Sequence, residues 1–295
     1  MKISTLCLLF AGALLIGRFA LKQTDRWSVE AIRSHRSYNP EWEGRALSTE
    51  EAALVKEALC LKYRYYGRGG QAFIFFSENE RYVLKFFKQK VFATPFYLDY
   101  LPPLFQKYKE KKRWKKADKL KRDFASYTYA FNNLSDLTGV LYIHLNSTSH
   151  LQREIILKDK LGIEHRISLD HFDFIVQRKA EFVYDRIQGA MQAGQKKRAQ
   201  EAITQIMELI IERCKRGFHD RDPNISTNCG FLEEKCMKID VGRFVFNERM
   251  KDRSIYAKEL LKITAPLREW IAAHRPFLLD HFDKERGRLC EGQEL

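Results

Sequence analysis

The sequence is poor in cysteine and lacks the cysteine patterns that hold small domains together. Its 295 residues include six cysteines, none in a CxxC pair, and no histidine stands at zinc-finger spacing. Neither a zinc site of that type nor a disulfide framework is predicted, so the cysteines are expected to be mostly reduced. Internal repeats and low-complexity segments are also absent. With 45% hydrophobic residues, the chain can bury a full core as one two-lobed domain or two small ones.

The sequence also has fewer acidic residues than basic ones. The chain has 52 Lys and Arg against 38 Asp and Glu, a formal net charge of +14. Such a balance suits contact with phosphates, anionic lipid or acidic protein, and it does not indicate a fold. No recognised nucleic-acid-binding module accompanies the lysines, so specific nucleic-acid binding is not predicted.

One long apolar run is present, at the N-terminus. Residues 3–16 are apolar, and the run continues to residue 21 with an interruption at Arg18. Its length suits a membrane anchor, a signal-peptide core or a short buried helix. The only A-x-A match lies inside the run, which argues against cleavage. Residues 1–26 are therefore predicted as an anchor or a signal peptide, and residues 3–21 as the membrane contact.

Basic residues cluster after this run, at Arg18, Lys22 and Arg26. By the positive-inside rule they favour a membrane-anchored protein whose folded part faces the cytoplasm. The alternative is export after cleavage of a signal peptide.

The next residues change from a helical to a strand pattern. A helical lead-in is predicted over 27–61, because residues 49–61 carry apolar groups at helical spacing behind a capping box of Ser48 and Glu51. From residue 62 to 90 the pattern is strand, glycine loop, strand, polar turn and strand.

A basic helical insertion is predicted over residues 103–135. Ten of the residues between 105 and 122 are Lys or Arg, against two acids. A solvated helix face is one interpretation, and an anionic membrane or an acidic partner is the other. Trp114 among the lysines favours the membrane.

The second half of the chain alternates strands with helices. A hairpin with a KDKLG turn and a further strand over 174–181 are predicted before a helix over 196–216, which Gly217 ends. A polar loop, a short strand pair and an acidic turn follow. Residues 254–282 are predicted as helical, broken at Pro266 and Pro276.

Two groups of residues have the chemistry needed to bind a nucleotide. The first is the glycine turn Gly67, Gly69 and Gly70 between two strands, followed by Lys85 in the next strand. Glycine lets the backbone approach phosphates, and the lysine supplies a fixed cation. Such a hairpin is common, and a strand lysine usually faces solvent, so this group needs support from elsewhere in the chain.

The second group lies in residues 219–243. Asp222 and Asn228 follow the long helix, and the Asp240-Val241-Gly242 turn comes after them. An Asn oxygen and an Asp carboxylate are suitable ligands for magnesium, and another Asp can orient an attacking hydroxyl. Each acid taken alone is equally typical of an ordinary turn.

Together and in this order, the segment resembles the protein-kinase-like superfamily. Arg221-Asp222 and Asn228 match the family's H-R-D-x-x-x-x-N loop, and Asp240-Val241-Gly242 stands where D-F-G stands. The Asp-Pro step also resembles UbiB-like atypical kinases, and H-x-D loops occur in aminoglycoside phosphotransferases. The resemblance covers about residues 63–244 of the sequence.

The resemblance implies a role for each matching residue. Asp222 would be the catalytic base, and Asn228 and Asp240 would hold Mg²⁺. The ATP phosphates would be held by the side chain of Lys85 and the backbone of the glycine turn. In 174–181, Val176 to Lys179 resemble the hinge that meets adenine, so Val176 and Gln177 are predicted to bind it.

Several departures leave alternatives open. The interval from Asp222 to Asn228 is one residue longer than usual, so either the loop bulges or Asp220 competes for the base role; Asp222 is favoured by its separation from Asp240. Ala72 and Val241 replace a glycine and a phenylalanine, and no A-P-E segment follows. The acid that pairs with Lys85 is not obvious, and Asp123 is predicted ahead of Glu154.

The resulting prediction is an α+β, two-lobed protein-kinase-like fold preceded by an N-terminal hydrophobic helix. Residues 62–178 would form the β-rich N-lobe and 179–295 a small helical C-lobe. The predicted function is binding of ATP and Mg²⁺ with transfer of the γ-phosphoryl group to an unknown protein or small-molecule acceptor. The alternatives are a pseudokinase or scaffold at a membrane, which binds a partner without phosphotransfer, and a protein that only binds membrane surfaces.

Overall fold

The computed structural model describes residues 3–291 and has a mixed α/β fold with a seven-stranded sheet and many helices. The chain divides into two compact units. Unit 1 contains the residues up to Leu120 together with Tyr142–Gln177, and unit 2 contains Lys121–Leu141 and the residues from Arg178 onwards.

Unit 1 is built on the large sheet. Its helices are α1 (Ile3–Gln23), α2 (Val29–Ile32), α3 (Thr49–Leu59), α4 (Gln89–Phe92) and the first part of α5 (Gln106–Asn132). Its strands are β1 (Tyr63–Arg68), β2 (Ala72–Ser77), β3 (Tyr82–Phe87), β4 (Val140–His144), β5 (Glu154–Lys158), β6 (Glu164–Ser168) and β7 (Phe174–Arg178). Short 3-10 turns lie at Pro40–Trp42, Phe96–Tyr100, Pro103–Phe105 and Leu169–His171. The strand order is β4-β7-β3-β2-β1-β5-β6.

Local sequence explains the first elements of unit 1. The capping box predicted for α3 is present, with Ser48 accepting the amide of Glu51 and Glu51 accepting the amide of Ser48. Strands β1, β2 and β3 form an antiparallel meander, as predicted. The β5–β6 hairpin and strand β7 were also predicted correctly. Strands β2 and β3 are apolar at nearly every position, and Phe73, Phe75, Phe86 and Phe87 are almost fully buried in the core of unit 1.

Helix α1 covers most of the residues that were predicted as a membrane anchor or a signal peptide. Among the described residues, no helix is both long and apolar enough to cross a membrane. The finding does not support the membrane anchor, the transmembrane helix or the hydrophobic N-terminal helix predicted at residues 1–26. Several apolar side chains of α1 from Phe10 onwards are nevertheless exposed to solvent.

Unit 2 is mostly helical. It contains the last part of α5, then α6 (Ser135–Thr138), α7 (Val183–Gln192), α8 (Lys196–Lys215), α9 (Ile225–Asn228), α10 (Arg253–His274) and α11 (Leu279–Glu291). Its strands are β8 (Glu181–Phe182), β9 (Phe218–Asp220), β10 (Cys229–Leu232), β11 (Lys235–Lys238) and β12 (Phe244–Phe246). Strands β11, β10 and β8 form one small sheet, and β12 pairs with β9. Two 3-10 turns lie at Glu248–Lys251 and Pro276–Leu278.

Helix α8 matches its prediction closely. All seven apolar residues predicted for its inner face are buried: Ala199, Ala202, Ile203, Ile206, Met207, Leu209 and Ile210. Gly217 follows the helix with φ of +82°, a conformation that glycine adopts without steric cost.

The prediction that Pro266 breaks the last helical stretch was wrong. Helix α10 continues through Pro266 to His274, although proline cannot donate the usual hydrogen bond to the preceding turn. Leu260, Ile263, Leu267 and Ile271 bury one face of the helix around the proline. Burial of this face outweighs the local penalty, because packing supplies most of the stability of helices in proteins. The break comes later, where Pro276 begins a 3-10 turn.

Candidate functional site

The predicted site residues fall into two groups, one in each unit. Unit 1 holds the glycine turn, Lys85, Val176 and Gln177, and unit 2 holds Asp123, Asp222, Asn228 and Asp240. The predicted pairing of Lys85 with Asp123 joins residues of different units and stays a prediction.

In unit 1, the chain turns between β1 and β2 at the predicted phosphate loop. Gly67 lies at a β-bulge, where the pairing register between β1 and β2 shifts. The amide of Gly69 donates to the carbonyl of Ala72 at 2.9 Å, which closes the turn. A Cβ placed on Gly67 or Gly70 would meet no atom within 4 Å, and none of the three glycines has φ in the left-handed region. Neither packing nor backbone conformation therefore explains glycine at these positions.

Lys88, which the sequence analysis missed, fixes the same turn. Its side chain is buried, with 8% exposure, and its ammonium donates to the carbonyl of Gly69. Nζ also lies 4.8 Å from the centroid of the Phe73 ring. Burial lowers the pKa of Lys88, and the nearby charges of Arg68 and Lys90 lower it further. The only signal in the sequence was a second lysine three residues after Lys85, next to aromatic residues.

Lys85 lies in the middle of β3, opposite Ile74 of β2, and is half-buried. Val176 and Gln177 are almost fully buried in β7, which neighbours β3 in the sheet. Glu154, the second candidate for pairing with Lys85, lies on β5, which β2 and β1 separate from β3, and it pairs with Arg166 at 3.6 Å. This arrangement disfavours Glu154 and leaves Asp123 as the predicted partner.

In unit 2, the buried residue Asp220 ends β9, at the start of the loop that leads to β12. Its side chain is 2% exposed and forms ion pairs with Arg213 at 3.3 Å and Lys238 at 2.7 Å. The same carboxylate accepts the amide of Asp222 at 2.9 Å. Two buried cations thus hold Asp220, and Asp220 in turn fixes the backbone of Asp222.

Asp222 differs from Asp220 in being exposed. Its backbone carbonyl accepts hydrogen bonds from the side-chain amide of Asn228 at 3.0 Å and from the ammonium of Lys238 at 2.6 Å. Among residues 3–291, its carboxylate has no hydrogen bond or ion pair. The backbone of Asp222 is therefore fixed while its carboxylate faces solvent. The segment between Asp222 and Asn228 ends in the single helical turn α9.

Asn228 links this loop to the acidic turn. Its carbonyl accepts the amides of Ile239 at 2.8 Å and Asp240 at 3.4 Å, while its side chain donates to Asp222. Asp240 itself is exposed, and its carboxylate accepts the amide of Gly242 at 3.3 Å. Asp222, Asn228 and Asp240 thus belong to one hydrogen-bond network within unit 2.

Ser126 on α5, which was also not predicted as a site residue, fixes the acidic turn of Asp240, Val241 and Gly242. Its fully buried hydroxyl donates to the carbonyl of Val241 and accepts the amide of Phe244 at 2.6 Å. Nearby, Asp123 is 2% exposed and lies 3.6 Å from a guanidinium nitrogen of Arg243. Burial raises the pKa of Tyr127 well above its usual range, and the charges of Asp240 and Asp123 add to that shift.

The donor set of this network suits a hard cation. Among residues 3–291, no group of three or more His, Cys, Asp or Glu side chains is placed to hold a metal ion. Mg²⁺ does not need such a cage, because it is usually bound through one or two carboxylates together with waters and substrate phosphates. The exposed carboxylate of Asp240 fits that pattern. The side-chain oxygen of Asn228, which accepts the hydroxyl of Thr227 at 2.9 Å, would be the second protein ligand.

Comparisons with known proteins add little. No family model matches the chain, and no curated protein matches it. Among solved structures, the bifunctional kinase-methyltransferase WbdD, known from a medium-resolution structure, is similar with a TM-score of 0.36 and 15% identity. The match covers 73% of this chain and 42% of WbdD, so the chain spans less than half of that protein. A likeness at this level is too weak to assign a fold.

Proposed function

We propose that this protein is an ATP-dependent phosphotransferase with a two-lobed kinase-like fold that works with Mg²⁺. One observation carries the proposal: Asp222, Asn228 and Asp240 share one hydrogen-bond network, while the carboxylates of Asp222 and Asp240 stay exposed. These are the three positions that match the loop and turn of the kinase-like superfamily. An ordinary surface turn would not need a buried Asp220 with two cations beneath it.

The proposal gives each residue a role. Asp222 accepts the proton of an acceptor hydroxyl as the new P–O bond forms and the bond from the γ-phosphorus to its bridging oxygen breaks. Asn228 and Asp240 would hold Mg²⁺, which neutralises phosphate charge when bound. In unit 1, Lys85 pairs with the phosphates and the turn at Gly67, Gly69 and Gly70 lets the backbone approach them. Val176 and Gln177 would meet adenine.

Asp220 is excluded from the base role by this proposal. Its carboxylate is buried and neutralised by Arg213 and Lys238, and a base must reach the proton that it removes. Its contacts suit a positioning residue that holds the backbone of Asp222.

A nucleotide-binding pseudokinase is the second candidate, and one observation favours it. The side chain of Asn228 is 7% exposed, its oxygen accepts the hydroxyl of Thr227 at 2.9 Å, and its nitrogen donates to Asp222. Both ends of the amide are thus engaged inside the protein. The two candidates share the ATP site and differ in turnover.

The test is calorimetric titration of the full chain with ATP, with and without Mg²⁺. We expect Mg²⁺-dependent binding that Lys85→Ala and Asp240→Asn each weaken at least tenfold, about 1.4 kcal/mol. Glu269→Gln serves as the matched control, since Glu269 is an exposed acid elsewhere in unit 2. Absence of ATP binding by folded protein contradicts both candidates.

Turnover then separates the two candidates. Phosphate release and autophosphorylation should fall by about 10² to 10⁴ in Asp222→Asn, the usual contribution of a general base, while ATP affinity is kept. Wild-type protein that binds Mg²⁺-dependent ATP without any turnover supports the pseudokinase.

A further inference from the structure

A second surface of unit 1 combines exposed apolar side chains with basic ones. It comprises residues 96–120, which run from the 3-10 turns at Phe96–Tyr100 and Pro103–Phe105 into the first part of α5. We name it the basic aromatic surface. Seven large apolar side chains in it are 41% to 88% exposed: Phe96, Tyr97, Tyr100, Leu104, Phe105, Tyr108 and Trp114. Soluble proteins rarely expose so many in one short stretch without a binding role.

The helix within this surface has two distinct faces. Lys112, Lys116 and Lys119 are half-buried. Lys116 donates to the carbonyl of Val91 at 2.7 Å and Lys119 lies 5.7 Å from the Phe92 ring, whereas Lys112 lies 5.3 Å from the Tyr108 ring on the same helix. Lys116 and Lys119 thus anchor the helix to the rest of unit 1. Their contacts leave the opposite face to solvent.

The outer face carries Lys107, Lys111 and Lys115, spaced four residues apart, with the 65% exposed Trp114 beside them. Side chains at this spacing share one side of a helix. All three lysines are exposed, and among residues 3–291 none of them has a hydrogen bond or an ion pair. Their charges are therefore available to a partner.

The local charge is strongly positive. Residues 96–120 contain eight Lys or Arg and three acids, Asp99, Glu110 and Asp118. Asp99 pairs with Arg113 at 2.7 Å, and Glu110 accepts the side chain of Gln106 at 2.8 Å. Asp99 and Glu110 are thus engaged within the surface and do not neutralise the outer lysines.

The structure points to an anionic phospholipid membrane as the partner of this surface. We propose that residues 96–120 dock on it peripherally, with Lys107, Lys111 and Lys115 facing the lipid phosphates and Phe96, Tyr100, Leu104 and Trp114 entering the headgroup boundary. Basic residues near anionic bilayers and exposed aromatic or aliphatic side chains act together in such binding. A single-stranded nucleic acid could contact the lysines through its phosphates and the aromatic rings through its bases. The most exposed apolar side chain, however, is the aliphatic Leu104, at 88%, which cannot stack on bases. The surface therefore fits a membrane better than a nucleic acid.

The test is vesicle flotation of the full chain, with phosphatidylcholine vesicles and with vesicles containing 30% phosphatidylserine by design. The charge variant is Lys107→Glu with Lys111→Glu and Lys115→Glu. Its matched control reverses three exposed lysines of unit 2, Lys197, Lys258 and Lys262, and so changes the net charge equally. The apolar variant is Leu104→Ser with Trp114→Ser.

We expect binding to the anionic vesicles to fall at least tenfold in the charge variant and in the apolar variant, and less than twofold in the control. Binding that is equal on neutral vesicles and unchanged in both variants would assign the interaction to the exposed helix α1 and overturn the proposal. Equal losses in the charge variant and the control would also overturn it, because net charge alone would then explain binding. So would binding of single-stranded RNA through these lysines without binding to anionic vesicles.

This test is independent of the phosphotransfer proposal. Asp240→Asn leaves the basic aromatic surface intact, so its vesicle binding should equal that of the wild type whether or not the protein binds ATP.

Discussion

Replacing Ser126 with alanine should destabilise unit 2 far more than the loss of one hydroxyl suggests. The hydroxyl serves two buried backbone groups at once, the carbonyl of Val241 and the amide of Phe244. Both residues are almost fully buried, so water cannot easily replace the lost partner. Each unsatisfied buried group costs about 1–3 kcal/mol, and partial relaxation should leave a total loss of about 2–4 kcal/mol.

Thr128→Ala is the control for this measurement. Thr128 lies on the same helix, and its hydroxyl donates to the carbonyl of Phe124 at 3.1 Å, within the helix. Removing it orphans no backbone group, and alanine is the better helix former. The free energy of unfolding should therefore change by no more than about 0.5 kcal/mol, within the range of ordinary surface substitutions.

Both variants would be compared with the wild type by urea unfolding followed by circular dichroism. If Ser126→Ala costs no more than Thr128→Ala, the hydroxyl does not hold the acidic turn and the reasoning fails. ATP titration adds a second measure, because a displaced Asp240 turn should weaken Mg²⁺-dependent binding in Ser126→Ala alone.

Two further predictions concern unit 1. In urea unfolding, Gly70→Ala should leave the free energy of unfolding unchanged or raise it by up to about 1 kcal/mol, since a Cβ there meets nothing within 4 Å. The same substitution should weaken ATP binding if the turn cradles the phosphates. Equal ATP affinity in the variant and the wild type would count against that role. Glu51→Ala should cost about 0.5–2 kcal/mol at pH 7 through loss of the capping box. Hydrogen bonding to Arg45 and to Ser48 lowers the pKa of Glu51 from 4.5 to about 2, so its contribution is complete above about pH 4.5 and disappears as the pH falls towards 2. Urea unfolding curves that differ equally at pH 7 and pH 2 would refute this.

How much could be predicted from the sequence depends on the distance between interacting residues. The capping box of α3 links residues three positions apart, and the inner face of α8 follows from spacing alone, so both were predicted correctly. Ser126 could not be identified in this way, because its partners lie 115 and 118 residues further along the chain. A serine within a helix gives no local sign of such contacts.

The candidate site shows the same division. The order of Asp222, Asn228 and Asp240 could be recognised as a motif, but the different environments of Asp220 and Asp222 could not. The two acids are only two residues apart, and Arg213 and Lys238, which neutralise Asp220, come from α8 and β11. The exposure of the Leu104 side chain could not be predicted either, because an apolar residue just before a helix is usually expected to pack against that helix.

The pairing of β9 with β12 has a consequence for motion. Asp220 opposes Phe244 and Phe218 opposes Phe246, so the chain between these strands is a loop with both ends fastened together. Because Asn228 also ties the two halves of that loop, a local opening that frees Asp222 must loosen Asp240 as well. The amides between the two strands are thus expected to exchange with solvent as one cooperative unit, with a common free energy of opening.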